Sequence, residues 1–367
     1  MLEDYLLSLQ EHYEKFDLFK IYRLKHSLNI DFSNKQKVIQ ILGTNGKGST
    51  GRYLAQMLSN DNFKVGHFLS PHILDFKERI TCFNCDCNLE ENHQLLQKML
   101  KATEERPSYF EYLTLLSILC FKDCDYVVFE AGLGGEYDAT SAFKIDLCVF
   151  TKISIDHCEL LGNDLNKIIS TKIKAMSSVN IFADDFLQIK QAACKKGVKA
   201  IFLKQDLSKL CLDEADFLKH NFSLAQLAYF ELFSHFYITK AIKLSLKARC
   251  ELIQKNILID VGHNADAAEN LKKEIKRNFS SKIILICNFF KDKEVQNILS
   301  ILKDNIDEIK ILNYESSHRQ LADVKENAKA LNIACSDFDF KIKEDKNYVV
   351  FGSFVLVEKF LKFYEGK

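Results

Sequence analysis

The sequence predicts an α/β fold in two domains, and three observations carry the prediction. A β-branched apolar run, Val38-Ile39-Gln40-Ile41-Leu42, enters the glycine-rich stretch Gly43-Thr44-Asn45-Gly46-Lys47-Gly48-Ser49-Thr50. The chain leaves it through Tyr53, Leu54, Met57 and Leu58, which are apolar at helical spacing, so strand, glycine turn and helix follow one another as in a phosphate-binding loop. Two further apolar runs end in an acid, Tyr126-Val127-Val128-Phe129-Glu130 and Ile257-Leu258-Ile259-Asp260. Beyond these, strand-like runs at 283–286, 309–312 and 348–351 alternate with helical stretches, the pattern of a small open α/β sheet. The prediction is an N-terminal P-loop domain over residues 1–244, with a mostly parallel sheet flanked by helices. A smaller Rossmann-like α/β domain follows over 245–367. A chain of 367 residues can bury a core in each.

Composition narrows the class of partner. Fifty Lys and Arg balance fifty Asp and Glu, so no net field draws the chain to nucleic acid or an anionic membrane. Hydrophobic content of 47% and charged content of 27% are those of an ordinary globular protein. The apolar run 112–121 is too short to span a bilayer and reads as a buried helix. Met1-Leu2-Glu3-Asp4-Tyr5 lacks the basic start of a signal peptide, and twelve cysteines without secretory context point to a reducing compartment. A cytoplasmic protein is therefore expected, and a monomer acting on small molecules is expected alongside it. Cys82, Cys85 and Cys87 sit together like half a zinc site. With no second pair recognised at zinc-like spacing, they read as scattered reduced thiols.

Along the chain, Tyr5, Leu6, Leu9 and then Ile21, Leu24, Leu28 mark N-terminal helices. In the glycine stretch, backbone N–H groups can turn inward and the helix start adds its positive end, a cradle for phosphate. Thr44, Asn45, Gly46, Lys47, Gly48 and Ser49 are the candidate nucleotide contacts. Lys47 can reach the β and γ phosphates, and a Ser49 or Thr50 hydroxyl can approach Mg²⁺. Gly48 separates Lys47 from Ser49, a departure from the usual Gly-Lys-Ser/Thr. Val65 to Leu69 reads as a strand, followed by Ser70-Pro71-His72 and Phe76-Lys77-Glu78-Arg79-Ile80. Ser108 and Glu111 have capping-box spacing before a long apolar helix. Glu130, at the end of a strand, stands where nucleotide enzymes place an acid on Mg²⁺. Residues 177–215 carry no recognisable site.

These motifs, in this order, resemble those of the Mur ligase superfamily, ATP-dependent enzymes that join a carboxylate to an amine. The wording is most similar to dihydrofolate synthase and folylpolyglutamate synthase. The pieces that carry the resemblance are the P-loop variant, Ser70-Pro71-His72, Glu130-Ala131-Gly132-Leu133-Gly134-Gly135 with Asp138-Ala139-Thr140, Asp156-His157, and Asp260 to Asn264.

The resemblance implies roles residue by residue. Ser70, Glu130 and His157 would hold two Mg²⁺ ions, with Asp156 beside His157. Lys172 would carry a CO₂-derived carbamate, with Lys174 as competitor if the register slips. Lys47, His157 and Lys172 form the implied catalytic set. Asp17, Ser108 and Phe110 would line a pterin pocket, and Arg79, Asp138 and His263 would also meet substrate. Asn221, Arg249 and Asp260 would touch the nucleotide, although a helix N-cap also explains Asn221. The sequence departs from the family at Glu136, where an arginine is usual, at Ser141, where an asparagine is usual, and around Lys172 at Thr171, Ile173 and Lys174. The implied reaction joins L-glutamate to the carboxylate of dihydropteroate, to the γ-carboxyl of a folate, or to both. ATP is the co-substrate, and the path runs through an acyl phosphate to ADP and phosphate. Two other readings stay open: another Mur-type amide ligase, and a catalytically altered nucleotide-binding regulatory protein.

Overall fold

The computed structural model describes residues 1–9, 17, 19–156, 164–315 and 319–366. They form two compact units. One holds Met1–Ser154 and Asp164–Leu244; the other holds Ser245–Lys367 together with Ile155 and Asp156.

The first unit is built on a sheet of seven strands: β1 (Lys37–Leu42), β2 (Val65–Phe68), β3 (Ile80–Phe83), β4 (Tyr126–Glu130), β5 (Leu147–Phe150), β6 (Val179–Phe182) and β7 (Lys199–Phe202). Their order is β3-β2-β4-β1-β5-β6-β7, and every pair is parallel except β2 with β3. Helices cover it: α1 (Leu2–Ser8), α2 (Lys20–Leu28), α3 (Lys47–Asn60), α4 (Leu89–Leu100), α5 (Tyr109–Cys120), α6 (Leu165–Lys172), α7 (Leu187–Lys196) and α8 (Asp216–Phe233). Strands covered on both faces read as unbroken apolar runs, and β1, β2, β4 and β5 are buried along almost their whole length. The capping box starts α5 as its spacing predicts: the Ser108 N–H donates to Glu111 Oε2 at 2.8 Å, and the Glu111 N–H returns to Ser108 Oγ at 3.4 Å. The apolar body of α5, with Leu113, Leu115 and Leu116, then joins Leu24, Leu96 and Phe129 in one core.

Residues 177–215, silent in the sequence, hold β6, α7 and β7. The two strands have four residues each, and α7 buries only Ile189 and Ala193. So short a period gives little amphipathic signal.

The second unit carries β8 (Glu251–Gln254), β9 (Ile257–Asp260), β10 (Ile283–Cys287), β11 (Ile306–Ile311), β12 (Ala334–Asp337) and β13 (Tyr348–Phe351), in the order β12-β11-β10-β13-β9-β8. Only β8 runs antiparallel to its neighbour. Its helices are α9 (Ala265–Asn278), α10 (Val295–Leu302), α11 (Val324–Ala330) and α12 (Phe354–Tyr364). Among the described residues no helix is long and apolar enough to cross a membrane.

Candidate active site

In the first unit the register decides what meets. Phe68 lies opposite Phe129, Ile41 opposite Glu130, and Leu42 opposite Phe150. The carboxyl ends of β2, β4, β1 and β5 therefore stand side by side, and the chain diverges to opposite sides of β1. Ligands of open α/β sheets bind at such a switch point.

The glycine loop leaves β1 there and α3 starts at Lys47. Gly43 (φ 136°) could carry no side chain, because a Cβ would lie 2.0 Å from Thr151 Oγ1. Gly46 (φ 90°) is the N-cap of α3, and a Cβ there would lie 2.4 Å from Asn221 Oδ1. The Thr44 N–H donates to the Lys152 carbonyl at 2.9 Å and the Thr44 hydroxyl to the Ser154 carbonyl at 3.0 Å, pinning the loop to the segment after β5. Asn45 joins the same segment through Ser154 Oγ at 3.4 Å. Lys47 folds back, its ammonium donating to the Thr44 carbonyl at 3.2 Å. Ser49 and Thr50 are buried, and the Thr50 hydroxyl makes no hydrogen bond.

Beside the loop, the Ser70 N–H donates to Glu130 Oε2 at 3.1 Å. Arg79 donates to Ser70 Oγ at 3.1 Å and to His72 Nδ1 at 2.8 Å, and its guanidinium lies 5.0 Å from the centre of the Tyr109 ring. The two lysines of the 170–175 stretch separate cleanly. Lys172 is buried at the end of α6 and donates to the Gly43 carbonyl at 2.9 Å. Lys174 is exposed and pairs with Glu136 at 3.3 Å, so the departing Glu136 faces a cation at the surface.

The remaining first-unit candidates fall into two sets. The Asp138 carboxylate is buried and accepts from the Leu133 N–H (2.8 Å), the Thr140 N–H (3.0 Å) and the Thr140 hydroxyl (2.6 Å), so it shapes the glycine turn after β4. Burial pushes it above the usual carboxylate range despite these donors. Asn221 lies well inside α8, whose N-cap is Ala215, which corrects the capping alternative; its amide abuts Gly46 instead. Ser108 and Phe110 flank the start of α5, where Glu111 also pairs with Lys20 at 3.1 Å. Phe110 packs on Phe68, ring centres 5.7 Å apart, and against Gly132. Asp17 stands apart on the surface, bound to Arg23 at 2.5 Å, and that bond holds its carboxyl below the usual range. His157 lies outside the described residues.

In the second unit, Asp260 ends β9 and accepts from the Gly262 N–H at 2.7 Å and the Cys250 N–H at 2.8 Å. Burial raises its pKa all the same. Arg249 lies over Phe354 at 5.1 Å and donates to the Ala248 carbonyl at 3.2 Å. A cluster whose pairings the sequence does not announce centres on Asp156. Its carboxylate meets Lys293 Nζ at 2.5 Å, Asn264 Nδ2 at 3.2 Å and His263 Nε2 at 3.3 Å. Asp292 extends it through Lys293 and Arg319. Burial pushes Asp292 up, but these two cations outweigh it and hold the carboxyl below its usual value. The Lys293 side chain is only 4% exposed. Asp156, His263 and Asn264 stand in motifs singled out in the sequence, and Asp292-Lys293, just before a helix, completes the cluster.

Glu130 and Ser70 supply oxygen donors at one strand edge, a pair that suits a hard divalent cation.

A phosphate loop at the centre of a parallel sheet, with a buried acid on the adjoining strand, defines a P-loop nucleotide-binding protein. The comparisons narrow the class. The Mur ligase middle domain model matches residues 41–259. A Helicobacter pylori folylpolyglutamate synthetase structure is 37% identical, with a TM-score of 0.78 over 100% of this chain and 98% of that one. A dihydrofolate synthase/folylpolyglutamate synthase of Buchnera aphidicola is 26% identical over 98% of each chain. A Yersinia pestis bifunctional folylpolyglutamate synthase/dihydrofolate synthase, complexed with AMPPNP and Mn ion, shares the fold with a TM-score of 0.86 at 22% identity, over 99% of this chain and 97% of that one. The chain belongs to the Mur ligase family, in its dihydrofolate synthase/folylpolyglutamate synthase branch.

Proposed function

We propose that this protein is an ATP-dependent ligase joining L-glutamate to the carboxylate of dihydropteroate, to the γ-carboxyl of a folate, or to both. The observation that carries the reading is the meeting of the glycine loop, Ser70, Glu130 and Lys172 at the carboxyl ends of adjacent strands. Loop amides from Gly46 to Ser49 bind the ATP phosphates while Thr44 and Asn45 hold the loop to the segment after β5, and Lys47 swings from the Thr44 carbonyl to the γ-phosphoryl group. Thr50 or Ser49 with Glu130 would hold one Mg²⁺, and Ser70 with His157 and a carbamylated Lys172 a second. When bound, such ions neutralise phosphate charge.

The substrate carboxylate attacks the γ-phosphorus and ADP leaves. The glutamate amine then attacks the carbonyl of the acyl phosphate, expelling phosphate and losing a proton, to give the amide. Arg79 is suited to orient an anionic group because its guanidinium is already fixed by Ser70, His72 and the Tyr109 face. Phe110 and Ser108 are assigned to the pterin, with Asp17 at its rim, and Asp138 and His263 to substrate. Asn221, Arg249 and Asp260 are assigned to the nucleotide. The protein works as a cytoplasmic monomer on these small molecules.

The test is ADP release with Mg-ATP and L-glutamate, comparing dihydropteroate, tetrahydrofolate and no acceptor, with product identified by mass. Release that requires acceptor and glutamate supports the reading, and the acceptors used say which activities are present. ATP binding without turnover on either acceptor would sink it.

A further inference from the structure

Five cysteines converge at one corner of the first unit. Cys82 lies on β3 opposite Gly66 of β2. Cys85 and Cys87 follow in the turn before α4, Cys120 closes α5, and Cys124 stands just before β4. Because β2 and β4 are parallel, and Cys82 and Phe83 pair with Gly66 and Val65, this corner lies at the amino ends of those strands. The phosphate loop and Glu130 lie at the carboxyl ends, so the cluster is separate from the candidate active site.

The Sγ atoms of Cys82, Cys85 and Cys124 all lie within 4.8 Å of one another, and Cys85 and Cys124 are 3.6 Å apart. Tetrahedral zinc with Zn–S bonds of about 2.3 Å sets its sulfurs about 3.8 Å apart. Cys87 stands two residues beyond Cys85 in the same turn, next to this group of three but not within it. Cys124, just past the end of an apolar helix, is the ligand that the turn cysteines lack in the sequence.

We propose that this corner is a structural zinc site in which the thiolates of Cys82, Cys85 and Cys124 bind one Zn²⁺, with Cys87, the next thiol of the turn, closing on the ion as the fourth ligand. Soft thiolates select zinc over the hard cations suited to the Glu130 edge. Four protein ligands leave no open position, the mark of a structural rather than a catalytic site. Binding displaces the thiol protons to solvent. The ion would tie the β3 turn to the start of β4, beneath the end of α5.

The experiment uses the full chain, purified reduced and without chelator, for zinc content, then stripped and titrated with Co²⁺ followed by Zn²⁺. A single zinc per chain is expected. Cobalt should give a thiolate charge-transfer band in the near ultraviolet and the visible bands of a tetrahedral site, both bleached by zinc. Cys82→Ser and Cys124→Ser should lose the bands, while Cys194→Ser, at an exposed cysteine elsewhere, should keep them. Should those variants misfold, alkylation of the wild-type chain decides. Zinc must shield Cys82, Cys85, Cys87 and Cys124 while Cys194 still reacts. Folded, reduced wild-type protein with neither zinc nor cobalt bands overturns the proposal, as does a mass lower by two hydrogens that maps to a disulfide among these cysteines. None of these readouts depends on ligase activity.

Discussion

Replacing Gly46 by alanine tests how the phosphate loop is held. Two costs add. Gly46 sits at φ 90°, and a left-handed backbone costs an L-residue about 1–2 kcal/mol. The new Cβ would also lie 2.4 Å from Oδ1 of the buried Asn221, and overpacking of this kind costs about 1–3 kcal/mol. Gly197 isolates the first cost, since it has φ 65° and an added Cβ would meet nothing within 4 Å. For a unit of this size each kcal/mol lowers Tm by about 2–4 °C. Gly197→Ala should therefore melt about 2–8 °C below wild type, and Gly46→Ala about 4–20 °C below. The assay is thermal unfolding of both variants with and without Mg-ADP. Gly197→Ala should keep the stabilisation by ADP; Gly46→Ala should lose most of it, because moving Asn221 and the start of α3 displaces the loop amides. Equal melting of the two variants, with equal response to ADP, would refute the contact between loop and helix α8 as a determinant of either property.

Other expectations follow from single contacts. Burial holds His67 below the usual histidine range, and neither ring nitrogen has a hydrogen-bond partner. The unfolded chain therefore binds the extra proton first, and stability falls as pH drops below about 6.5 by up to about 1.4 kcal/mol per pH unit. His67→Leu should remove that part of the slope in urea titrations at several pH values, and an unchanged slope would count against it. Lys293→Met strips the buried Asp156 of its cation, and breaking a buried pair costs about 3–5 kcal/mol; chemical denaturation followed by a probe in the second unit should show it, and a loss under about 1 kcal/mol would mean the pair is effectively solvated. Ser108→Ala should cost about 1 kcal/mol through the lost cap and Ser108→Thr much less. If Ser108 also meets the pterin, the alanine variant raises KM for dihydropteroate, whereas a purely capping role leaves KM unchanged.

What the sequence determined by itself was local. The glycine loop, its entering strand and its leaving helix are contiguous, so their chemistry was legible in one stretch, as were the Ser108–Glu111 cap and the strand-end acids Glu130 and Asp260. Tertiary structure decided whatever depends on partners distant in the chain. Spacing left Lys172 and Lys174 as rivals; packing buried Lys172 against Gly43 and left Lys174 on Glu136. Asn221 could be a cap until α8 was seen to begin at Asp216 and to carry its amide to Gly46. Lys293 acquired its importance only by meeting Asp156, far earlier in the chain. The cysteines of the β3 turn looked scattered because their partner Cys124 lies beyond α4 and α5. Periodicity reports which face of an element is buried. It carries no information on which distant side chain that face will meet, because sheet order and register fix those pairings.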